Sequence, residues 1–190
     1  MIKAVIFDCF GVLVGRGFDE TYRLAGGDPV KDQEFIADVL GEANLGHISQ
    51  DEFHERMTSQ LGITLEAYET AVAKAELTNE ELIDYIATLH ADYKTAVLSN
   101  VNKGVLERKI DPVVLKSHFD ALVLSGELGF AKPDPEIYRL AAEKLGVEPS
   151  ECVFTDDHEH YCEGARAVGM QAILYKDFAQ FKADLEKTLA

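Results

Sequence analysis

The chain has 190 residues, 47% of them hydrophobic, enough to bury a core for one large domain or one domain with a small insertion, and unlike a disordered or fibrous chain. Its 34 acidic against 18 basic residues give a formal charge of −16, a field that repels phosphate backbones and argues against nucleic acid or an anionic membrane as partner. Cys9, Cys152 and Cys162 are too few and too irregular for a disulfide framework or a zinc knuckle, and the apolar run after Met1-Ile2-Lys3 is too short for a signal peptide or a membrane span, so the expected compartment is the cytoplasm.

Ala4 to Phe7 is an apolar run ended by Asp8 and then Gly11, which predicts a strand buried on both faces. From there to about Leu77 the periodicity is helical. Ser49-Gln50-Asp51-Glu52 reads as a capping box that starts a helix burying Phe53, Met57 and Leu61; Gly26-Gly27-Asp28-Pro29 and Gly62 mark breaks. Tyr22, Phe35, Phe53, Met57 and Tyr68 are expected to form the interior of this helical segment. Thr78-Asn79-Glu80-Glu81 reads as a second capping box. Beyond it, strands are expected at Thr95–Leu98, Ala121–Leu124, Cys152–Phe154 and Gln171–Leu174, with helices at Pro135–Leu145 and Tyr161–Val168. This alternation implies a parallel sheet covered by helices. The expected division is a core of residues 1–14 and 79–190 and a helical cap of 15–78, joined by hinges near Val14–Gly17 and Leu77–Asn79.

Ligands of open parallel sheets collect outside the carboxyl ends of the strands, and polar residues follow four of these runs: Asp8, Ser99-Asn100, Lys132 and Asp156-Asp157. Together they suit one anionic substrate. An ionised Asp8 needs no separate base to attack phosphorus or carbon, and a Mg²⁺ gathered by Asp8 and Asp157 would screen the repulsion between nucleophile and phosphate. Ser99 and the Asn100 amide can donate to phosphoryl oxygens, and Lys132 supplies the positive charge that the acidic chain otherwise lacks. Taken singly, each has a plainer reading, as a turn cap, a strand-to-loop turn, a surface lysine or an acidic helix start. His158-Glu159-His160 lacks the spacing of a transition-metal site and is expected to be partly exposed; Cys9 is expected to pack in the core.

Phe7-Asp8-x-Phe10-Gly11-Val12-Leu13, Leu98-Ser99-Asn100, Ala131-Lys132-Pro133-Asp134-Pro135-x-Ile137-Tyr138 and Phe154-x-Asp156-Asp157 resemble the four ordered motifs of the haloacid dehalogenase (HAD) superfamily, in the arrangement with a helical cap inserted after the first motif. The resemblance implies an α/β, doubly wound parallel sheet and a Mg²⁺-dependent hydrolase of a small phosphorylated metabolite. It makes Asp8 the nucleophile and Ser99 and Lys132 the phosphoryl-binding groups. The metal ligands it implies are Asp8, the backbone carbonyl of Phe10 and Asp157, with Asp156 in support. Phosphatases of that family usually carry a second aspartate, the general acid and base, where this chain has Phe10. His158 and His160 are candidate replacements. Tyr161 stands where relatives often carry a smaller polar residue, a change that either narrows the pocket or is without consequence.

An aromatic residue at position 10 also occurs in the dehalogenase branch, so carbon–halogen cleavage is an alternative. That branch lacks the acidic pair retained here as Asp156-Asp157 and carries a halide-binding arginine on its first cap helices. Gly26 to His54 contains no arginine, and Arg16, Arg23 and Arg56 only flank it. A third reading is a weakly catalytic or non-catalytic fold that binds a phosphorylated ligand or a protein partner.

Overall fold

A computed structural model describes residues 1–15, 18–102 and 104–189. The predicted hinge residues Arg16 and Gly17 lie outside the described residues. Five parallel strands, β1 (Ala4–Phe7), β2 (Lys94–Ser99), β3 (Ala121–Leu124), β4 (Cys152–Asp156) and β5 (Gln171–Leu174), form one sheet in the order β3-β2-β1-β4-β5. β1 is therefore central, and all four of its residues are buried, as its unbroken apolar run requires.

Alternation along the strands feeds two cores. Val5 and Phe7 face α5 (Glu80–Leu89), α6 (Pro112–His118) and α9 (Phe178–Leu189), whose contributions include Leu82, Ile86, Leu115 and Phe181. Ala4 and Ile6 face α7 (Pro135–Leu145) and α8 (Glu159–Ala167) through Ile137, Tyr138, Ala141 and Ala165. Helices on both faces make the sheet doubly wound.

The segment between β1 and α5 contains α1 (Phe18–Leu24), α2 (Gln33–Asn44), α3 (Gln50–Leu61) and α4 (Leu65–Ala75). These surround a separate cluster of Tyr22, Val39, Phe53, Met57 and Tyr68, with Phe35 and Leu61 partly buried at its edge. Ser49 caps α3, its hydroxyl accepting from the Glu52 amide at 3.2 Å. The chain leaves and re-enters the sheet side by side: the Gly15 amide donates to the Leu77 carbonyl at 2.7 Å and the Asn79 amide to that of Leu13 at 2.8 Å.

The helical segment is seated on the sheet's carboxyl edge at backbone level. Ser125 Oγ donates to the Asn44 carbonyl, and Asn102 Nδ2 to that of Ile48 at 3.2 Å. Between them Gly46 has φ +73°, and a β-carbon there would stand 2.5 Å from the Gly126 carbonyl oxygen, so this contact needs glycine twice over.

Several expected boundaries move. α5 is capped by Asn79, not Thr78: the Asn79 side chain accepts from the Leu82 amide at 3.3 Å, while Thr78 Oγ1 donates to the Lys109 carbonyl at 3.1 Å. α8 begins at Glu159, two residues before the expected Tyr161, because the His158 amide donates to Asp156 Oδ1 at 2.9 Å and turns the chain at once. β2 and β4 extend far enough to make Ser99 and Asp156 their last residues.

Candidate active site

Three strand ends meet one loop. Asp8 follows β1, held by its amide donating to the Thr155 carbonyl at 2.9 Å; Ser99 ends β2; Asp156 ends β4. Lys132 arrives on the loop after β3, clamped by Asn100. The Lys132 amide donates to Asn100 Oδ1 at 2.8 Å, and Asn100 Nδ2 returns a bond to the Lys132 carbonyl at 3.0 Å. Lys132 Nζ then donates to Asp8 Oδ1 at 2.7 Å and to Asp156 Oδ2 at 2.6 Å.

Only 4% of Lys132, 6% of Asp8 and none of Asp156 is exposed, so these charges interact with little help from water. Burial pushes the Asp8 carboxyl up to about 6; Lys132 opposes this and Asp156 reinforces it. Burial works against the Lys132 ammonium, but the two carboxylates outweigh it and hold its pKa above the ordinary lysine range. Two carboxylates against one ammonium leave net negative charge, which favours a cation nearby.

Asp157 lies beside Gly11, whose φ is +87° and whose missing β-carbon would stand 2.2 Å from Asp157 Oδ2. The glycine makes room for that carboxylate. His158 Nδ1 is 2.9 Å from Asp157 Oδ1, and this bond raises the His158 pKa. One ligand atom each from Asp156, Asp157 and His158 falls within 4.8 Å of the others. Asp156 is nonetheless committed elsewhere, one oxygen to Lys132 and the other to the His158 amide. Of the carboxylates at the strand ends, Asp8 and Asp157 line the cavity, as does Phe10. Oxygen donors of this kind fit a hard divalent cation such as Mg²⁺.

The cavity of about 850 Å³ runs from Asp8, Ser99, Asn100, Lys132 and Asp157 up to Phe18, Phe53 and His54 on the helical segment. That is the size of a small-molecule site. Asp8, Phe10, Ser99, Asn100, Lys132 and Asp157 line it, and Asp156 lies behind them, bonded to Lys132. His158 lines it while His160 does not, both being exposed, and Cys9 is fully buried in the core. Arg23 also lines the cavity, 3.7 and 3.9 Å from the carboxylates of Asp19 and Glu20.

Other wall residues have no signal in the sequence. Glu76, at the end of α4, receives Lys109 Nζ at 2.7 Å and Thr21 Oγ1 at 3.0 Å. Lys109 follows the 3₁₀ turn Leu106–Arg108, so this pair ties the helical segment to the sheet domain. His54 pairs with Gln50 Nε2 at 2.9 Å, and burial lowers its pKa.

Residues 2–169 match the family model of the haloacid dehalogenase-like hydrolases. The chain belongs to that family. Among curated relatives, the D-ribitol-5-phosphate phosphatase of Bacteroides thetaiotaomicron is 30% identical over 97% of this chain and 97% of its own length. A predicted HAD-like hydrolase from Porphyromonas gingivalis shares the fold with a TM-score of 0.79 at 26% identity, covering 100% of this chain and 98% of that one. A HAD family enzyme from B. thetaiotaomicron, solved in complex with magnesium and inorganic phosphate, shares the fold with a TM-score of 0.77 at 23% identity, over 95% of this chain and 99% of that one.

Proposed function

We propose that the protein is a Mg²⁺-dependent phosphatase of a small phosphorylated metabolite, with Asp8 as nucleophile. The observation that carries this reading is the buried Asp8–Lys132–Asp156 cluster opening onto the same cavity as Ser99, Asn100 and Asp157. Lys132 holds the Asp8 carboxylate in place and offers positive charge to the phosphoryl oxygens, to which Ser99 Oγ and the Asn100 amide donate. Asp8 attacks phosphorus, the ester P–O bond breaks, the alcohol leaves, and water then hydrolyses the aspartyl-phosphate. Mg²⁺ held by Asp8, the Phe10 carbonyl and Asp157 would neutralise charge on the transferring group, with Asp156 orienting Lys132 beside it.

Residues 1–14 and 79–190 act as the hydrolase core and 15–78 as the cap that covers the cavity and chooses the leaving group. The sugar-alcohol phosphate in the name of the B. thetaiotaomicron relative supports a substrate of that size. The charge of −16 supports small molecules, not nucleic acid or a membrane surface, as substrates, and the three free, buried cysteines support a reducing cytoplasm. Among the described residues no helix is long and apolar enough to cross a membrane. Phe10 cannot move a proton, so either the leaving oxygen draws on another donor, or it departs unaided, or turnover is slow.

Dehalogenation fits less well. Asp156 and Asp157 are both present at the site, and Arg23 faces Asp19 and Glu20 instead of standing free for a halide. A panel of pentitol, hexose and aryl phosphates, assayed with Mg²⁺ and with chelator, tests the reading: turnover is expected only with metal. Metal-independent halide release from 2-haloacids, with no phosphate release, would overturn it.

A further inference from the structure

Two of the three protons on Lys132 Nζ are committed to Asp8 and Asp156. The ammonium also lies 4.8 Å from the centroid of the Tyr161 ring and 5.4 Å from that of Phe154, both within the range of a cation–π contact. Phe154 is a fully buried strand residue. Tyr161 is different: it stands on the first turn of α8, lines the cavity, and is only partly buried.

Its placement is held from several sides. The Tyr161 carbonyl accepts from Tyr138 Oη at 2.9 Å, its amide donates to the His158 carbonyl at 3.0 Å, and the His158 ring stacks on it at 5.5 Å and 28°. Asn100, the residue that clamps the Lys132 backbone, lines the same cavity. Tyr161 thus meets the lysine at its charged end, while Asn100 holds its main chain.

We infer that Tyr161 is a positioning residue of the phosphoryl site, its ring face keeping the Lys132 ammonium on Asp8 and Asp156 and forming the wall against which a phosphoryl group is seated. The inference rests on the phosphatase reading above. The ring carries the larger part of this role and the hydroxyl the smaller, because a buried ammonium is attracted by the π face whether or not the ring bears oxygen. Removing the ring opens one side of the seat of Lys132 and leaves its orientation to the two carboxylates alone. Substrate binding suffers before the chemical step does, since Asp8 itself is untouched.

The test compares Tyr161→Phe and Tyr161→Leu with the parent protein, using a turned-over phosphate monoester for kinetics, inorganic phosphate for binding by calorimetry, and the Lys132 side-chain resonances for geometry. In the parent protein, nuclear Overhauser contacts are expected between Lys132 Hε and the Tyr161 ring protons; their absence overturns the inference without any variant. Tyr161→Leu is expected to raise KM and weaken phosphate binding about 2- to 30-fold, with a smaller change in kcat and a downfield move of the Lys132 Hζ signal. Tyr161→Phe is expected to stay near the parent in all three. If Tyr161→Leu folds and leaves KM, phosphate affinity and the Lys132 signal unchanged, Tyr161 only packs. If the parent shows the Lys132–Tyr161 contacts yet neither binds phosphate nor cleaves its esters, the phosphatase reading falls and the positioning role falls with it.

Discussion

Asp8 and Lys132 are 124 positions apart in the chain and 2.7 Å apart in the fold, and the chemistry of the site turns on how each alters the other. Burial raises the Asp8 carboxyl to about 6, against the pull of Lys132. Below that value Asp8 is protonated and cannot attack, so activity falls as pH drops; a bound divalent cation favours the carboxylate and moves the limb lower. The acid limb of kcat/KM is therefore expected at or below pH about 6, and a limb well above neutrality in a pH–rate profile would contradict Asp8 as nucleophile. Phe10 supplies a second prediction. Phe10→Asp restores an acid–base carboxylate beside an otherwise competent site and is expected to raise kcat for alkyl phosphates by about 10²-fold or more; no gain in steady-state assays would mean that the site never relied on that group or is not competent. Asp8, Ser99, Lys132 and the acidic pair were legible in the sequence because each follows an apolar strand, where a parallel sheet collects ligands. Tyr161 could be read only as a bulky residue near the site. Its contact with Lys132 depends on α8 starting at Glu159, a boundary set by the bond from the His158 amide to Asp156.

An ion pair between Glu76 and Lys109 links the end of α4 to the residue after the 3₁₀ turn Leu106–Arg108. Glu76 is partly buried between Lys109 and Thr21, in a wall of the cavity. Removing either partner leaves the other charge poorly solvated, so Glu76→Ala and Lys109→Ala are each expected to cost roughly 1.5–3 kcal/mol in urea unfolding. The double variant is expected to cost less than their sum, because the two side chains touch. Additive costs would show that the pair does not tie these elements together. No periodicity announces such a link, since both residues lie just past the ends of short elements and a solvated position would suit either. Regular elements were easier: β1, β3, β5 and α7 have the expected limits, their apolar runs or stripes being bounded by polar or turn residues. The start of α5 was missed because Thr and Asn both cap helices well, and the choice was made by the Lys109 carbonyl, which takes the Thr78 hydroxyl.

Across the whole molecule the charge is −16, and the Asp8–Lys132–Asp156 cluster is itself net negative, so the proposed anionic substrate requires a divalent cation as well as the buried lysine to approach Asp8. The sheet gathers Asp8, Ser99 and Asp156 from three strand ends, and the helical segment lines the other side of a cavity of about 850 Å³. That architecture follows from the alternation of apolar runs and amphipathic helices, and so was readable in advance. The cavity wall was not, because its helices turn both core residues and lining residues inward: Phe53 belongs to the interior of the helical segment and to the cavity at once. The most direct measurement of the central claim is chemical trapping of the covalent intermediate. Protein mixed with Mg²⁺ and a cleavable phosphate ester, quenched in acid and reduced with borohydride, is expected to show Asp8 alone converted to homoserine by peptide mass spectrometry, with Asp8→Asn giving neither adduct nor turnover. Turnover that survives Asp8→Asn, or an adduct on any other residue, would contradict the account.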